Sequence, residues 1–230
     1  MNWLFLLHNL NNMAVIINLG ETNSIFNQFV AEVRSAEVQT DRMRFRRNLE
    51  RIGEIFAYEI SKTLEYQLAD VITPLGEAPM MQLVEQPLLA TILRAGLPLH
   101  QGLLNYFDRA DNAFITAYRK YHKNEDFTIR VEYISTPSLD GKVLILSDPM
   151  LATGASIVKT IKGLLAHGMP KHIHIAAVLA SVEGLEFIKR NLSLHNITIW
   201  LGGVDDELTA QAYIVPGLGD AGDLAFGEKD

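Results

Sequence analysis

A single carboxylate followed by a segment of small residues is the most chemically informative feature of the sequence. Residues 143–146 are an apolar run, Asp148 comes directly after it, and Thr-Gly-Ala-Ser at 153–156 follows. Backbone N–H groups and two hydroxyls at the start of a helix suit an anion. A carboxylate beside them can hold sugar hydroxyls or favour positive charge. This combination suits the binding of a sugar phosphate.

The flanking residues predict a strand, a turn and a helix around this segment. The run 143–146 fits a strand buried on both faces. Apolar residues then recur at helical spacing from Ile157 until Gly168 and Pro170 end the pattern. Open parallel sheets bind ligands at the carboxyl ends of their strands. A turn begun by Asp148 and a simple helix cap fit the local pattern too, and they need no ligand.

Two arginines follow other predicted strands. Arg94 comes directly after the run Leu88–Leu93 and shares a compact turn with Gly96. Arginine can grip phosphate oxygens, and glycine lets the backbone approach a ligand closely. Arg119 stands just beyond the next apolar run, 113–117. Because parallel strands end at one edge of a sheet, motifs that follow different strands can meet there. An arginine after a strand is also often a simple surface residue, so position alone leaves its role open.

The sequence near the C-terminus contains a literal G-x-G-x-x-G at 217–222. Only eight residues follow it, so there is no room for the helix, second strand and distal acid of a dinucleotide-binding unit. A glycine-rich segment of another kind is therefore expected.

Three of these segments resemble motifs of the type I phosphoribosyltransferases, and in particular of their uracil branch. Residues 148–156 resemble the loop that binds phosphoribosyl pyrophosphate (PRPP), 92–97 resemble the pyrophosphate loop, and 213–223 resemble the uracil-recognition segment. The resemblance covers residues 88–228. It implies an α/β fold with a parallel sheet flanked by helices, a projecting β-hairpin arm and a C-terminal base-binding hood segment.

The resemblance also implies a reaction and the residues that perform it. Uracil would displace pyrophosphate from PRPP to give uridine monophosphate (UMP), a step of pyrimidine salvage by a pentosyltransferase. The catalytic residues would be Asp148, Arg94 and Arg119. The residues that bind PRPP would be Arg94, Arg119, Asp148, Pro149, Met150, Leu151, Ala152, Thr153, Gly154, Ala155, Ser156 and Asp220. Those that contact uracil would be Ile214, Gly219, Asp220 and Ala221. Mg²⁺ would arrive with PRPP rather than on protein ligands, and activation by GTP is left open.

A glycine-rich segment suits uracil for a physical reason. Uracil presents an acceptor–donor–acceptor edge, which backbone groups can match in one plane. Cytosine replaces one acceptor with an amino donor. Each buried polar group left unpaired would then cost about 1–3 kcal/mol.

The sequence departs from the family pattern at three places. Ala155 stands where the family usually has a second glycine, and its methyl group could crowd the phosphate loop. The letters Leu-Pro-Leu-His at 97–100 replace a glycine-containing continuation, and Leu224 replaces an arginine. Two alternatives also remain open: a non-catalytic regulator that binds PRPP, and a phosphoribosyltransferase for another nucleobase.

Composition limits the function classes further. The chain has 230 residues, 48% of them hydrophobic, which suits one α/β domain with embellishments. We expect residues 1–40 to be an N-terminal extension, with 1–12 not necessarily translated, and 41–230 to be the phosphoribosyltransferase domain. A net charge of −7 argues against nucleic-acid binding through bulk charge. No sufficiently long apolar stretch predicts a membrane span, and the absence of cysteine fits the cytoplasm. The resemblance implies a homodimer or a higher homo-oligomer.

Several further elements are predicted from periodicity. An amphipathic helix is expected between Asp41 and Leu68, with an arginine-rich face exposed to solvent. Strands are expected at 88–93, 113–117, 143–146, 173–179 and 197–201, with a helix at 182–190. Residues 120–141 are expected to form a projecting β-ribbon or an ordinary exposed hairpin. His172 and His174 would share one face of a strand, but a metal site there lacks a third ligand.

Overall fold

A computed structural model describes residues 14–121, 127–192 and 196–228, and the side chains of 118–130 are outside this description. The strands are β1 (Val15–Asn18), β2 (Tyr66–Thr73), β3 (Gly76–Leu83), β4 (Leu88–Leu93), β5 (Asn112–Tyr121), β6 (Phe127–Ser135), β7 (Val143–Ser147), β8 (Met150–Leu151), β9 (His172–Ser181), β10 (Ile197–Asp205), β11 (Glu207–Leu208) and β12 (Ile214–Val215). The central sheet has the strand order β1-β10-β9-β7-β4-β5-β6, and β8 also pairs with β9. The helices are α1 (Ile25–Arg34), α2 (Arg42–Ser61), α3 (Leu97–Tyr106), α4 (Ala155–Leu164), α5 (Val182–Asn191) and α6 (Ala221–Phe226).

The central strands are mostly apolar, as suits a sheet that helices cover on both faces. Neighbouring positions on β9 show this arrangement. Ala176 and Val178 belong to one buried cluster, which includes Phe56 of α2. Ile175 and Ala177 belong to the other, which includes residues of α4 and α5. The pairs β1–β10, β10–β9, β9–β7, β7–β4 and β4–β5 are all parallel, and β5–β6 is antiparallel. The predicted parallel α/β sheet flanked by helices is confirmed.

The strands expected from apolar runs are present. The predicted strand Leu88–Leu93 has the same bounds as β4. The runs 113–117, 143–146, 173–179 and 197–201 lie within β5, β7, β9 and β10, respectively. The helix expected at 182–190 lies within α5. The hairpin expected in 120–141 is present as β5 and β6, with its tip at 122–126 outside the described residues.

The prediction of one helix between Asp41 and Leu68 is wrong at its C-terminal end. The helix α2 ends at Ser61, and Tyr66–Thr73 is strand β2. The hydroxyls of Ser61 and Thr63 donate to the carbonyls of Tyr58 and Ile60, at 2.7 and 2.8 Å. Such local bonds satisfy the last helical carbonyls. The β-branched and aromatic residues that follow then pair with β3, and pairing overrides the helical spacing of Leu64 and Leu68.

The β2–β3 hairpin projects without a second layer, and sequence periodicity gave no indication of it. Its register runs from Tyr66 opposite Leu83 to Thr73 opposite Gly76. Apolar side chains remain exposed along it, with Ile72 82% and Leu75 100% accessible.

The first described residues contribute to the same core as the rest of the chain. Strand β1 pairs with β10, and Phe26, Val30 and Val33 of α1 are buried in the cluster that contains α2. A capping box formed by Ser24 and Asn27 starts α1. None of the helices among the described residues combines the length and apolarity required to span a bilayer.

Candidate active site

The loops that follow β4 and β7 meet the C-terminal glycine-rich segment at the carboxyl edge of the sheet. A cavity of about 120 Å³ lies between them, lined by Ala95 of the first loop and by Met150 and Ala152 of the second. The rest of its wall consists of Ala212, Tyr213, Ile214, Gly219, Asp220, Ala221 and Gly222. A smaller cavity of about 40 Å³ shares Met150 and Ala152 with it and continues to Thr153, Gly154, Ser156 and Ile157. Three motifs separated in sequence therefore line two adjoining cavities.

Asp148 is the buried carboxylate at this edge, with 9% of its surface exposed. Its backbone N–H donates to the carbonyl of Ala176 at 3.1 Å, and its Oδ1 accepts from the N–H of Met150 at 3.3 Å. Burial raises the pKa of Asp148 from 3.8 to about 7, and the hydrogen bond from Met150 offsets this only in part. Among the described residues no cation pairs with this carboxylate. A ligand that brings positive charge or hydroxyl donors would restore its ionised form.

The segment after Asp148 forms the predicted turn into a helix. Gly154 has a φ of 73°, and a Cβ there would lie 2.7 Å from the carbonyl oxygen of Gly184, so only glycine suits this position. The first helical bond of α4 runs from the N–H of Val158 to the carbonyl of Gly154. The amides that precede Val158 are those left without helical acceptors, as at any helix start. Ala155 begins α4 in right-handed conformation, so its backbone tolerates alanine.

Ser181 and Gly184 support this segment through hydrogen bonds and close packing. The hydroxyl of Ser181 donates to the carbonyl of Ala152 at 2.6 Å and accepts from the N–H of Gly184 at 2.8 Å. A Cβ on Gly184 would lie 2.1 Å from the carbonyl oxygen of Ala152. Neither residue stands out in the sequence, since serine before a helix is an ordinary N-cap.

Arg94 directly precedes Ala95, which lines the larger cavity. Its Nη2 donates to Oδ1 of Asp223 at 2.8 Å and to the carbonyl of Gly227 at 3.2 Å, while its Nε is buried without a partner among the described residues. A Cβ on Gly96 would lie 2.2 Å from Oγ1 of Thr91, which accounts for glycine in this turn. Arg119 occupies β5, and its backbone pairs with that of Ile129. Its side chain lies outside the described part of the structure.

The C-terminal segment folds back onto the other two loops. Ile214 and Ala221 are 3% exposed, and Gly219 has a φ of 94°. Oδ1 of Asp220 accepts from the N–H groups of Gly222 and Asp223, at 2.8 and 3.0 Å, and thereby caps α6. The predicted uracil-contacting residues Ile214, Gly219, Asp220 and Ala221 all line the larger cavity.

This segment is anchored by an ion pair between Arg34 and Asp205, two residues that do not stand out in the sequence. Arg34 at the end of α1 binds both carboxylate oxygens of Asp205 at 2.8 Å, and its Nη1 also donates to the carbonyl of Gly217 at 3.2 Å. Asp205 accepts from the N–H of Gly217 at 3.0 Å. Bidentate arginine–carboxylate contacts fix geometry as well as charge. The N–H of Gly217 is thus bonded to Asp205 of β10, and its carbonyl is bonded to Arg34 of α1.

The two strand histidines lie at the opposite edge of the sheet. His172 begins β9, and its Nε2 lies 3.0 Å from Oγ1 of Thr198. Nδ1 of His174 accepts from the indole N–H of Trp200 at 3.0 Å. Burial, and then the neighbouring His172, lower the pKa of His174 to about 3. Within the described ranges, no three His, Cys, Asp or Glu side chains cluster as metal ligands.

Comparison with known proteins agrees with these motifs. The family model described as uracil phosphoribosyltransferase matches residues 22–228. A uracil phosphoribosyltransferase from Porphyromonas gingivalis is 54% identical over 214 residues, which are 93% of this chain and 99% of that protein. One from Methanothermobacter thermautotrophicus is 38% identical over 189 residues, covering 81% of this chain and 85% of the other.

The fold is similar to that of a solved structure as well. A protein from Aquifex aeolicus superposes with a TM-score of 0.82 at 28% identity, covering 93% of this chain and 98% of that one. The match to the family model spans all three loops that line the cavities. The chain belongs to the uracil phosphoribosyltransferase family.

Proposed function

We propose that this protein transfers the phosphoribosyl group of PRPP to uracil and releases pyrophosphate and UMP. The observation that carries the proposal is the larger cavity, where the pyrophosphate loop, the PRPP loop and the uracil-recognition segment meet. A base in this cavity would lie next to a phosphoribosyl group held in the smaller one. Holding two reactants in contact supplies much of the rate in a displacement of this kind.

The PRPP loop would hold the sugar phosphate. Backbone amides and hydroxyls of residues 153–156 would bind the 5′-phosphate at the start of α4. Asp148 would accept hydrogen bonds from the ribose hydroxyls, and its negative charge would stabilise the oxocarbenium-like character that develops on the ribose ring. Asp220 would position the same ligand from the other side of the cavity. The buried carboxylate of Asp148, with its raised pKa, supports this role because no cation among the described residues compensates it.

The arginines would bind the leaving pyrophosphate. Arg94 directly precedes Ala95 of the cavity wall. Its buried Nε has no partner among the described residues and is a donor that a phosphate oxygen would satisfy. Arg119 belongs to β5, and the resemblance assigns it a second pyrophosphate contact. As the resemblance implies, Mg²⁺ would enter with PRPP rather than on protein ligands. When bound, it would neutralise charge on the departing pyrophosphate.

Uracil would be recognised by backbone groups of the segment that contains Gly219 and Ala221. The cavity wall there is mostly backbone and small side chains, so selectivity would come from hydrogen-bond pattern more than from shape. The Arg34–Asp205 pair holds this segment in place. No general base is assigned, and positioning with electrostatics would provide the rate.

The proposal is tested by following pyrophosphate release. The protein is incubated with Mg²⁺, PRPP and one of uracil, cytosine, hypoxanthine or xanthine. Release with uracil and not with the other bases is the expected result. Pyrophosphate release with another base would assign a different substrate. PRPP binding without pyrophosphate release with any base would indicate a non-catalytic regulator instead of an enzyme.

The proposal extends to assembly and location. We expect a homodimer or higher homo-oligomer in the cytoplasm, with the apolar β2–β3 hairpin as part of the contact between subunits. Activation by GTP is not supported by any feature of the described residues.

A further inference from the structure

The ion pair between Arg94 and Asp223 joins two loops that handle different substrates. Arg94 belongs to the pyrophosphate loop, and Asp223 lies in the first turn of α6, directly after the uracil-recognition segment. Their side chains are 37% and 32% exposed, and Nη2 lies 2.8 Å from Oδ1. The two residues are 129 positions apart in sequence.

Residues at both ends of helix α6 bind Arg94. Asp223 binds Nη2 from the first turn, and the carbonyl of Gly227, which caps the last turn, accepts from the same nitrogen at 3.2 Å. A Cβ on Gly222 would lie 3.8 Å from Nη2, so the helix backbone also packs against the guanidinium. Because both described bonds use Nη2, the buried Nε keeps its hydrogen for another acceptor.

The same turn of α6 is attached to the base-binding wall. Asp220 and Gly222 line the larger cavity, and Oδ1 of Asp220 accepts from the N–H of Asp223 at 3.0 Å. Movement of the uracil-recognition segment would therefore move the carboxylate that orients Arg94. Such a link runs through two hydrogen bonds and one ion pair.

We propose that Asp223 is a positioning residue for Arg94, which it orients toward pyrophosphate and links to the uracil-recognition segment. The inference rests on the proposed function, since it assumes that Arg94 binds the pyrophosphate of PRPP. Asp223 itself touches neither substrate in this assignment. Its removal weakens PRPP and pyrophosphate binding and leaves UMP binding unchanged, because UMP carries no pyrophosphate.

The test measures equilibrium binding by calorimetry in wild type, Asp223→Asn, Asp223→Glu, Arg94→Ala and the Asp223→Asn/Arg94→Ala double variant. Titrants are PRPP with Mg²⁺, pyrophosphate with Mg²⁺, and UMP. Asp223→Asn is expected to weaken PRPP binding by about 3- to 10-fold, as for the loss of one partly exposed charge-assisted bond. Asp223→Glu, which keeps the charge, is expected to bind PRPP more tightly than Asp223→Asn. In the Arg94→Ala background the Asp223 change is expected to have no further effect.

Several outcomes would overturn the inference. PRPP binding by Asp223→Asn that equals or exceeds that of wild type would show that Asp223 does not assist Arg94. An equal loss of UMP affinity, or an undiminished effect without Arg94, would assign Asp223 a purely structural role. Asp108→Asn, which removes the same charge from a side chain that is 76% exposed, is the matched control. Failure of wild type to bind PRPP would instead contradict the proposed function, so the two failures are distinguishable.

Discussion

At the scale of single residues, the environment of Asp148 has a measurable cost in the ligand-free protein. Its carboxyl is buried at the end of β7, and its pKa is raised from 3.8 to about 7. Between pH 3.8 and about pH 7, the Asp148 carboxyl has released its proton in the unfolded chain and still holds it in the folded chain. Stability therefore falls as the pH rises through this window, and it remains reduced above pH 7.

Asp148→Asn is expected to remove this pH dependence. The variant should unfold with about the same free energy as wild type near pH 4 and become relatively more stable as the pH rises to 7, by up to about 4 kcal/mol. Denaturant unfolding at pH 4, 5, 6, 7 and 8 measures the difference. A constant difference across this range would contradict the raised pKa. Saturating PRPP is expected to abolish the advantage by stabilising the ionised wild type.

At the scale of elements, α5 lies against the PRPP loop so closely that Gly184 has no room for a side chain. A methyl group on Gly184 would lie 2.1 Å from the carbonyl oxygen of Ala152 and 2.7 Å from Cδ2 of Leu151. Backbone atoms yield little at such a distance, so the loop would have to shift.

Gly184→Ala is therefore expected to raise the KM for PRPP by about 10-fold or more, because misplacement by about 1 Å is costly at a catalytic site. Gly163→Ala in α4 is the control, since its Cβ would meet only the tip of the Ile134 side chain. Steady-state kinetics of the two variants make the comparison. Equal KM values for Gly184→Ala and wild type would show that α5 does not set the position of the loop.

The Arg34–Asp205 pair connects α1 and β10 to the uracil-recognition segment. Because Asp205 accepts from the N–H of Gly217 and binds Arg34 through both oxygens, its loss releases one end of this segment. Asp205→Asn is expected to raise the KM for uracil by about 5- to 30-fold, as for the loss of charged hydrogen bonds. The KM for PRPP should change much less. An equal change in both would indicate general destabilisation, which thermal unfolding would detect.

At the scale of the whole molecule, the β2–β3 hairpin leaves apolar side chains in water. Its exposed residues include Leu68 at 68%, Ile72 at 82%, Leu75 at 100% and Met81 at 59%. A projecting two-stranded ribbon has no hydrophobic layer of its own. Contact with a second copy of the chain would cover these residues.

Replacement of Ile72 and Leu75 by Glu is expected to reduce the mass of the assembly in solution. Light scattering coupled to size-exclusion chromatography measures it. The two side chains are exposed in the single chain, so its own stability should change by less than about 1 kcal/mol. Met43→Glu, at another exposed apolar position of 69% accessibility, is the control. An unchanged mass in the hairpin variant would place the subunit contact elsewhere.

The sequence by itself determined the parallel sheet and the segments that line its carboxyl edge. Apolar runs such as Leu88–Leu93 fix strands through local periodicity, and the letters of 148–156 fix a turn whose Gly154 takes a left-handed conformation. These signals lie within a few neighbouring residues, so they can be read without knowing the fold. The helical spacing of Leu64 and Leu68 is a local signal too, and it led to a wrong prediction of helix at these residues. Pairing with a distant strand overrides such a local preference.

Only the tertiary structure decided which distant side chains meet. Arg34 and Asp205 are separated by 171 residues, and Arg94 and Asp223 by 129. Arg94 stands out within its own motif and the other three do not, but nothing in the neighbours of any of the four indicates its partner. The raised pKa of Asp148 likewise depends on burial by chain segments far from it in sequence. Local sequence does not determine such pairings, because ion pairs and desolvation depend on distances in space, which the assembled sheet and its loops determine.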